Sequence, residues 1–166
     1  HMDGLAKEGV YLTDAHSPSA ICSPSRYSIL TGHYAWRNPR LMRGIVRPWG
    51  PSTIKDGDST IPAYLGKAGY NTACIGKWHL GSKPESGPNQ FGFQHSYGSL
   101  AGGVTPWNHH YKKGPYSTTW HRNQELINEE GHVTDLLTDE ETETDEPTAA
   151  HIVKVKRGEN AAAVVL

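Results

Sequence analysis

Cys22-Ser23-Pro24-Ser25-Arg26 is the most informative stretch of the sequence, and Thr31-Gly32 follows it. Pro24 suits the first turn of a helix because its ring fixes φ, and Gly32 suits the residue that ends one. The sequence therefore predicts a helix from Pro24 to Gly32, with Cys22 immediately before it. The amide groups and the dipole at a helix N-terminus stabilise negative charge by roughly 0.3–2 kcal/mol. An anionic nucleophile or a bound anion at Cys22 would gain from this position.

A second informative stretch runs from Gly69 to Gly81 and reads GYNTACIGKWHLG in one-letter code. We expect a helix before it, capped by Ser59 or Thr60 and ended by Gly69. A buried strand is predicted over residues 71–75 and a loop over residues 76–81. Lys77 and His79 are two positions apart in that loop, so an extended chain would point both side chains the same way.

The order of these elements predicts an α/β fold built on a parallel sheet. In such sheets the functional residues gather beyond the carboxyl ends of the strands. Further along the chain, residues 91–103 are interpreted as a glycine-rich loop and residues 106–123 as an irregular segment. A short β-prone run is expected at residues 10–13, a helix beginning at Thr134, and an exposed strand at residues 152–156.

Together, the two stretches resemble the two signatures of the type I sulfatases, the formylglycine-dependent arylsulfatases of the alkaline-phosphatase superfamily. The resemblance implies a partial alkaline-phosphatase-like parallel sheet with flanking helices, rich in loops. It also implies that a formylglycine-generating enzyme reads Pro24 and Arg26 and oxidises Cys22 to an aldehyde. The hydrate of this aldehyde attacks sulfur in the family.

The resemblance also assigns roles to individual side chains. Arg26 would hold the hydrate and screen the developing charge, and Lys77 would bind a sulfate oxygen. His79 would hydrogen-bond the hydrate or assist proton transfer. Cys22 would additionally be a ligand of a divalent metal ion, usually Ca²⁺. Cys74 lies in an apolar strand and is expected to be part of the core.

The family pattern covers residues 3–140, which we interpret as a partial sulfatase catalytic domain. Residues 1–2 look like a cloning remnant, and residues 141–166 like an acidic linker with an unassigned tail. The first strand of the family, its paired metal-binding aspartates and its later Asp-Asn pair are not found. Since calcium takes about six to eight oxygen ligands, a fragment or chimera with little hydrolase activity is expected unless another piece supplies them.

Three functional alternatives remain open from the sequence. The first is an arylsulfatase-like hydrolase of aryl or carbohydrate sulfates. The second is a phosphonate or phosphodiester hydrolase of the same superfamily, since some relatives keep the C-x-P-x-R motif but act on phosphorus. The third is a non-catalytic folded remnant that persists by packing or self-association.

Composition excludes several other classes of protein. The 166 residues include 16 basic and 17 acidic side chains, so the net charge of −1 does not indicate a nucleic-acid-binding surface. No apolar run is long enough to span a membrane. The two cysteines cannot form a disulfide framework. The compartment is not encoded in this sequence, although bacterial sulfatases are often periplasmic or secreted.

Overall fold

The structure is a computed structural model that describes residues 2–9, 11–113, 117–143, 153–155 and 161–164. A six-stranded sheet with helices packed around it makes up the described part. The α-helices are α1 (Met2–Glu8), α2 (Cys22–Thr31), α3 (Ile61–Lys67) and α4 (Val133–Glu143). The strands are β1 (Asn71–Lys77), β2 (His95–Ser99), β3 (Trp120–Arg122), β4 (Glu125–Leu126), β5 (Val153–Val155) and β6 (Ala161–Val164). Short 3₁₀ helices cover Ala35–Arg37, Pro84–Ser86 and Pro88–Phe91.

The sheet has the strand order β4-β3-β2-β1-β6-β5. Strand β1 pairs in parallel with β2 and with β6, whereas the outer pairs are antiparallel. The α/β class is thus confirmed, and the sheet is mixed rather than wholly parallel. Residues Asn71 to Ala73 of β1 pair with β6, so this side of the strand is covered by the chain's own C-terminal region. Among the described residues, no helix has both the length and the apolar character needed to cross a membrane.

Helix α2 begins two residues earlier than predicted, at Cys22 itself. The preceding Ile21 is extended, with φ −128° and ψ 155°, and Gly32 ends the helix in the left-handed region at φ 70°. The amide of Gly32 donates to the carbonyl of Ser28 at 2.9 Å. Buried Tyr27 and Leu30 fix the inner face of α2 against the core. The nucleophile candidate therefore lies in the first turn of a firmly packed helix.

Helix α3 and strand β1 form as the sequence predicts. The hydroxyl of Thr60 accepts from the amide of Ala63, which caps α3. Strand β1 continues to Lys77, two residues past its predicted end. Successive residues of β1 point to opposite faces of the sheet. Cys74 therefore packs in the hydrophobic cluster that contains Trp78, and Ile75 packs in the cluster beside α4. The expectation that Cys74 is a core residue is confirmed.

The predicted loop over residues 91–103 is wrong, because it contains β2, the parallel partner of β1. The glycine in this strand weakens the strand signal in the sequence. Gly98 has φ +126°, and a Cβ atom there would lie 2.3 Å from the carbonyl oxygen of Gly76. The two strands approach too closely at this point for a side chain, so the usual β-branched signal is absent.

Two further local predictions are wrong. Residues 106–123 are not wholly irregular, since β3 lies at their end and pairs with β2. Residues 11–13 form no strand, and Tyr11 and Leu12 are 74% and 68% exposed. A β-prone run without a neighbouring strand has no partner for its backbone hydrogen bonds. Residue 10 of that run lies outside the described residues, as do residues 152 and 156 of the predicted C-terminal strand, whose middle is β5.

Helix α4 is attached to the sheet by a buried carboxylate. Glu140 accepts hydrogen bonds from Nε2 of His95 at 2.7 Å and from the guanidinium of Arg122 at 2.6 Å. Glu141 is also buried, and the helix continues to Glu143. The boundary predicted after residue 140 therefore falls inside this helix.

Candidate active site

The structure brings the two sequence signatures together through one side-chain contact. Sγ of Cys22 lies 3.1 Å from Nδ1 of His79. Cys22 is the first residue of α2, whereas His79 follows the end of β1. Cys22 remains partly exposed, but His79 is only 2% exposed. The nucleophile candidate thus faces solvent on one side and a buried imidazole on the other.

A backbone carbonyl fixes the tautomer of His79. Nε2 of the ring lies 3.0 Å from the carbonyl oxygen of Val46. Because a carbonyl only accepts, Nε2 carries the hydrogen and donates it. In the neutral ring Nδ1 then keeps its lone pair and accepts from the group on residue 22. Burial lowers the pKa of His79 to about 4, helped by the charges of Lys77 and Arg26 and opposed by the bond to Val46. The ring is therefore neutral near pH 7.

The backbone at His79 departs from the extended conformation that the sequence suggested. Its φ is +57°, in the left-handed region, which costs a non-glycine residue roughly 1–2 kcal/mol. Its amide donates to the carbonyl of Leu100 at 3.1 Å, which fixes this turn. The expectation that Lys77 and His79 share one extended segment is wrong for this reason. Strain retained beside a reactive group is typical of functional sites.

Arg26 lies one helical turn after Cys22 and connects α2 to the sheet. Its Nη1 donates to the carbonyl oxygen of Lys77 at 2.5 Å. Burial lowers the pKa of Arg26, partly offset by the negative charge that Cys74 and Cys22 carry when ionised. Burial likewise raises the pKa of Cys74 to about 12, against the effect of Arg26, so Cys74 remains a thiol. Arg26 places a fixed positive charge between the two signatures.

Lys77 supplies a second cation at this edge of the sheet. It is the last residue of β1 and is half-buried. Within the described part of the chain, its ammonium group has no hydrogen-bond or ion-pair partner. Its charge is nevertheless close enough to lower the pKa of His79. Lys77 is therefore available to bind an anion on the side of the site where its charge acts on His79.

Three residues that the sequence did not single out support this arrangement. The hydroxyl of Ser23 is buried and accepts from the amide of Val46 at 3.1 Å. Val46 therefore bonds Ser23 through its amide and His79 through its carbonyl. A Cβ atom on Gly102 would lie 2.6 Å from Cε1 of His79, so this glycine makes room for the imidazole. The roles of Val46 and Gly102 depend on backbone atoms, which leave no side-chain signal.

The described residues do not fit a calcium site. They contain no group of three or more His, Cys, Asp or Glu side chains that could hold a metal ion. The side chains shown to interact with Cys22 are the imidazole of His79 and the guanidinium of Arg26, whereas calcium prefers about six to eight oxygen ligands. Upstream of Cys22, Asp14 and His16 pair with each other at 2.6 Å and are exposed. The metal-binding role of Cys22 stays a prediction.

The comparisons with known proteins identify the same family over most of the chain. The sulfatase family model matches residues 1–158. Arylsulfatase G of Homo sapiens is 37% identical over 101 residues, covering 59% of this chain and 18% of its own length. N-acetylglucosamine-6-O-sulfatase of Bacteroides thetaiotaomicron is 34% identical over 141 residues, covering 84% of this chain and 21% of its own. The chain thus spans about a fifth of the length of these curated relatives.

Solved structures share the fold. The crystal structure of Ps i-CgsB has a TM-score of 0.72 at 28% identity, covering 86% of this chain and 34% of that one. BT4656, solved with its substrate D-glucosamine-2-N,6-O-disulfate, has a TM-score of 0.64 at 26% identity. The alignment covers 99% of this chain and 28% of BT4656. With the two signatures meeting at Cys22 and His79, and with the family model matching nearly the whole sequence, this chain belongs to the sulfatase family.

Proposed function

We propose that this chain carries the nucleophile and the sulfate-binding side chains of a sulfuric ester hydrolase that acts on aryl or carbohydrate sulfates. The contact of 3.1 Å between Cys22 and His79 carries this proposal, because it unites two signatures that are distant in the sequence. Sulfatases are generally metal-dependent and use formylglycine. We therefore propose that residue 22 works as formylglycine, formed from the Cys22 thiol by a maturation enzyme that supplies the oxidant.

The environment of residue 22 fits this modification. Its side chain is partly exposed, lies at a helix N-terminus and is within hydrogen-bond distance of a neutral imidazole. Formylglycine supplies an oxygen nucleophile in place of a thiol. Nδ1 of His79 accepts a proton from the group on residue 22, while the bond from Nε2 to Val46 holds the ring in place.

The two cations stabilise negative charge on the substrate. Lys77 binds one oxygen of the sulfate, since its ammonium group is not engaged by other described residues. Arg26 holds a permanent positive charge one helical turn from residue 22 and keeps the end of β1 against α2. Preorganised charges of this kind stabilise a transition state because they need not reorient when charge develops.

Sulfated carbohydrates are the substrate class that we favour. Two Bacteroides thetaiotaomicron relatives are named as sulfatases of 6-O-sulfated amino sugars. The structure of BT4656 holds a sulfated glucosamine as its substrate. Calcium is not part of this proposal, because the described residues do not fit its ligand requirements.

Mass spectrometry of the peptide that contains residue 22 tests the modification. The chain is expressed together with a formylglycine-generating enzyme, and we expect an aldehyde in place of the thiol. Pro24→Ala and Arg26→Ala should lower the conversion, because the maturation enzyme is proposed to read both residues. Ile29→Ala, at an exposed position of the same helix, is the matched control. An unmodified thiol, with a known sulfatase converted in parallel, contradicts the proposal.

A comparison of turnover with matched esters tests the reaction. The converted chain is supplied with an aryl sulfate and with an aryl phosphodiester that has the same leaving group. The fragment is expected to have little activity, and the hydrolysis that it does catalyse should favour the sulfate over the phosphodiester. A preference for the phosphodiester would assign the chain to phosphorus chemistry instead. Stable folding without turnover of either ester would support the non-catalytic alternative.

A further inference from the structure

A cavity of about 360 Å³ lies within the segment between α2 and α3. Three arginines, Arg40, Arg43 and Arg47, contribute to its lining, together with Val46 and Pro51. Among the described residues, no acidic side chain lines it. A concave site lined by three arginines and by no acidic residue among those described is suited to an anionic ligand, because arginine binds oxyanions through two parallel N–H groups.

These arginines are not neutralised by the rest of the described chain. No carboxylate lies within ion-pair distance of any of the three in the residues that the structure describes. Arg40 donates instead to the carbonyl oxygen of Ser52. Arg122, by contrast, is paired with Glu140 at 2.6 Å. The sequence as a whole has a net charge of −1, so three arginines without acidic partners in one cavity are a local concentration of positive charge.

The wall of the cavity is hydrogen-bonded to the candidate active site. Val46 lines the cavity, and its carbonyl oxygen accepts from His79. The hydroxyl of Ser82, beyond the second signature, donates to the carbonyl of Arg47 at 3.0 Å. The amide of Ser82 also donates to the carbonyl of Gly50 at 3.0 Å. The cavity and the active site are therefore held together by a shared set of hydrogen bonds.

We propose that Arg40, Arg43 and Arg47 form an anion subsite that binds a second oxyanion group of a polyanionic sulfated carbohydrate. This inference rests on the proposed function, in which the sulfate to be cleaved lies beside residue 22. The second group is a further sulfate or a uronate carboxylate, since both present oxygens to a guanidinium. The subsite makes multiply charged sugars bind more tightly than singly sulfated ones.

Isothermal titration of the whole chain with three defined sugars tests the subsite. The probes are glucose 6-sulfate, D-glucosamine-2-N,6-O-disulfate, and a glucosamine 6-sulfate linked to glucuronic acid. The test variant is Arg43→Gln with Arg47→Gln, which leaves the bond of Arg40 to Ser52 intact. The control is Arg37→Gln, because Arg37 stacks on exposed Trp36 and does not line the cavity.

We expect the double variant to bind the disulfate roughly tenfold more weakly, as two charge-assisted hydrogen-bond donors are lost, and glucose 6-sulfate as before. Arg37→Gln should change neither affinity. A similar loss of affinity of the double variant for the uronic acid probe would show that the subsite also accepts a carboxylate. A loss with the disulfate alone would restrict the subsite to sulfate.

Three results would contradict the proposed anion subsite. They are an unchanged affinity of the double variant for both doubly charged probes, an equal loss for all three probes, and no binding of any probe to the wild-type chain. Lys77→Met separates this inference from the proposed function, since it removes the cation assigned to the sulfate beside residue 22. If Lys77→Met leaves the affinity for glucose 6-sulfate unchanged while the double variant still weakens the disulfate, the proposed function fails and the arginine site stands as an anion site.

Discussion

The Sγ atom of Cys22 lies 3.1 Å from Nδ1 of His79, although 57 positions separate the two residues in the sequence. Helix α2 presents Cys22 at its first turn, and the turn after β1 presents the imidazole. The carbonyl of Val46 engages the other ring nitrogen and so leaves Nδ1 as an acceptor. This geometry gives residue 22 a fixed partner for its proton.

Gly102 is expected to be essential for the position of the imidazole. In Gly102→Ala the new methyl group would lie 2.6 Å from Cε1 of His79, which forces the ring away from Cys22. Overpacking of this kind costs about 1–3 kcal/mol of unfolding free energy. Urea denaturation measures this loss, and the ¹⁵N shifts of the imidazole report the ring's hydrogen bonds. Gly103→Ala is the matched control, since nothing lies within 4 Å of its added Cβ atom. Equal stability of the two variants would contradict this role of Gly102.

The free energy of unfolding is expected to fall as the pH is lowered from about 6.5 to about 4. Burial lowers the pKa values of His79 and His121 to about 4, whereas an unfolded histidine titrates near pH 6.5. Between these values the unfolded chain binds protons that the folded chain does not, so stability is complete above about pH 6.5 and is lost toward pH 4. Urea denaturation at several pH values measures this slope.

The contribution of histidine to this slope can be separated from that of carboxylates. His121→Asn removes one of the two imidazoles whose pKa burial lowers to about 4, and should reduce the slope between about pH 6.5 and pH 5, where most carboxylates remain ionised. His33→Gln, at an exposed position outside the ion pairs of the described residues, is the matched control. A stability that is flat across this range would show that the two imidazoles are not buried in their neutral form.

Ser23 is expected to stabilise the segment that holds His79. Its buried hydroxyl accepts from the amide of Val46, so Ser23→Ala leaves a buried N–H without its acceptor. Such a loss costs about 1–3 kcal/mol, which chemical denaturation detects. Ser59→Ala provides the control, because Ser59 is exposed, and its effect should stay within about 0.5 kcal/mol. If both variants were equally stable, the bond to Val46 would not contribute to folding.

Lys77 is expected to account for the binding of inorganic sulfate. A ligand that binds only the folded state raises the melting temperature, by an amount that grows with the logarithm of its concentration once that exceeds the dissociation constant. Sulfate should therefore raise the melting temperature of the wild-type chain more than chloride does at equal ionic strength. Lys77→Met should lose most of this difference, whereas Lys67→Met, at the exposed end of α3, should retain it. Sulfate also stabilises proteins by exclusion from their surfaces, and that general effect is shared by all three chains. Retention of the full difference in Lys77→Met would argue against a sulfate site there.

Local signals in the sequence predicted part of the fold. Proline and glycine at its two ends predicted helix α2, a capping residue and a glycine predicted helix α3, and an apolar run predicted strand β1. All three elements are present. Strand β2 was missed because Gly98 makes a close approach to Gly76 that no side chain could tolerate. Its strand character comes from pairing with β1, which a local pattern does not contain.

The sequence named four candidate site residues, Cys22, Arg26, Lys77 and His79, and the structure brings them together at one end of β1. It did not predict the left-handed turn at His79 or the roles of Ser23, Val46 and Gly102. The turn is imposed by hydrogen bonds such as that to Leu100, and Val46 contributes only its peptide group. Features of this kind carry no distinctive residue type.

The sequence by itself determined the chemistry available to this protein, because two signatures fix which reactive side chains are present and at what spacing. Only the tertiary structure decided the state of those side chains. His79 is neutral, with its lone pair directed to Cys22, because folding buries the ring and places the carbonyl of Val46 at Nε2. Desolvation and hydrogen-bond geometry depend on segments that are distant in the chain. The same holds for the three arginines, whose common cavity exists only when residues 40–53 fold against the end of the second signature.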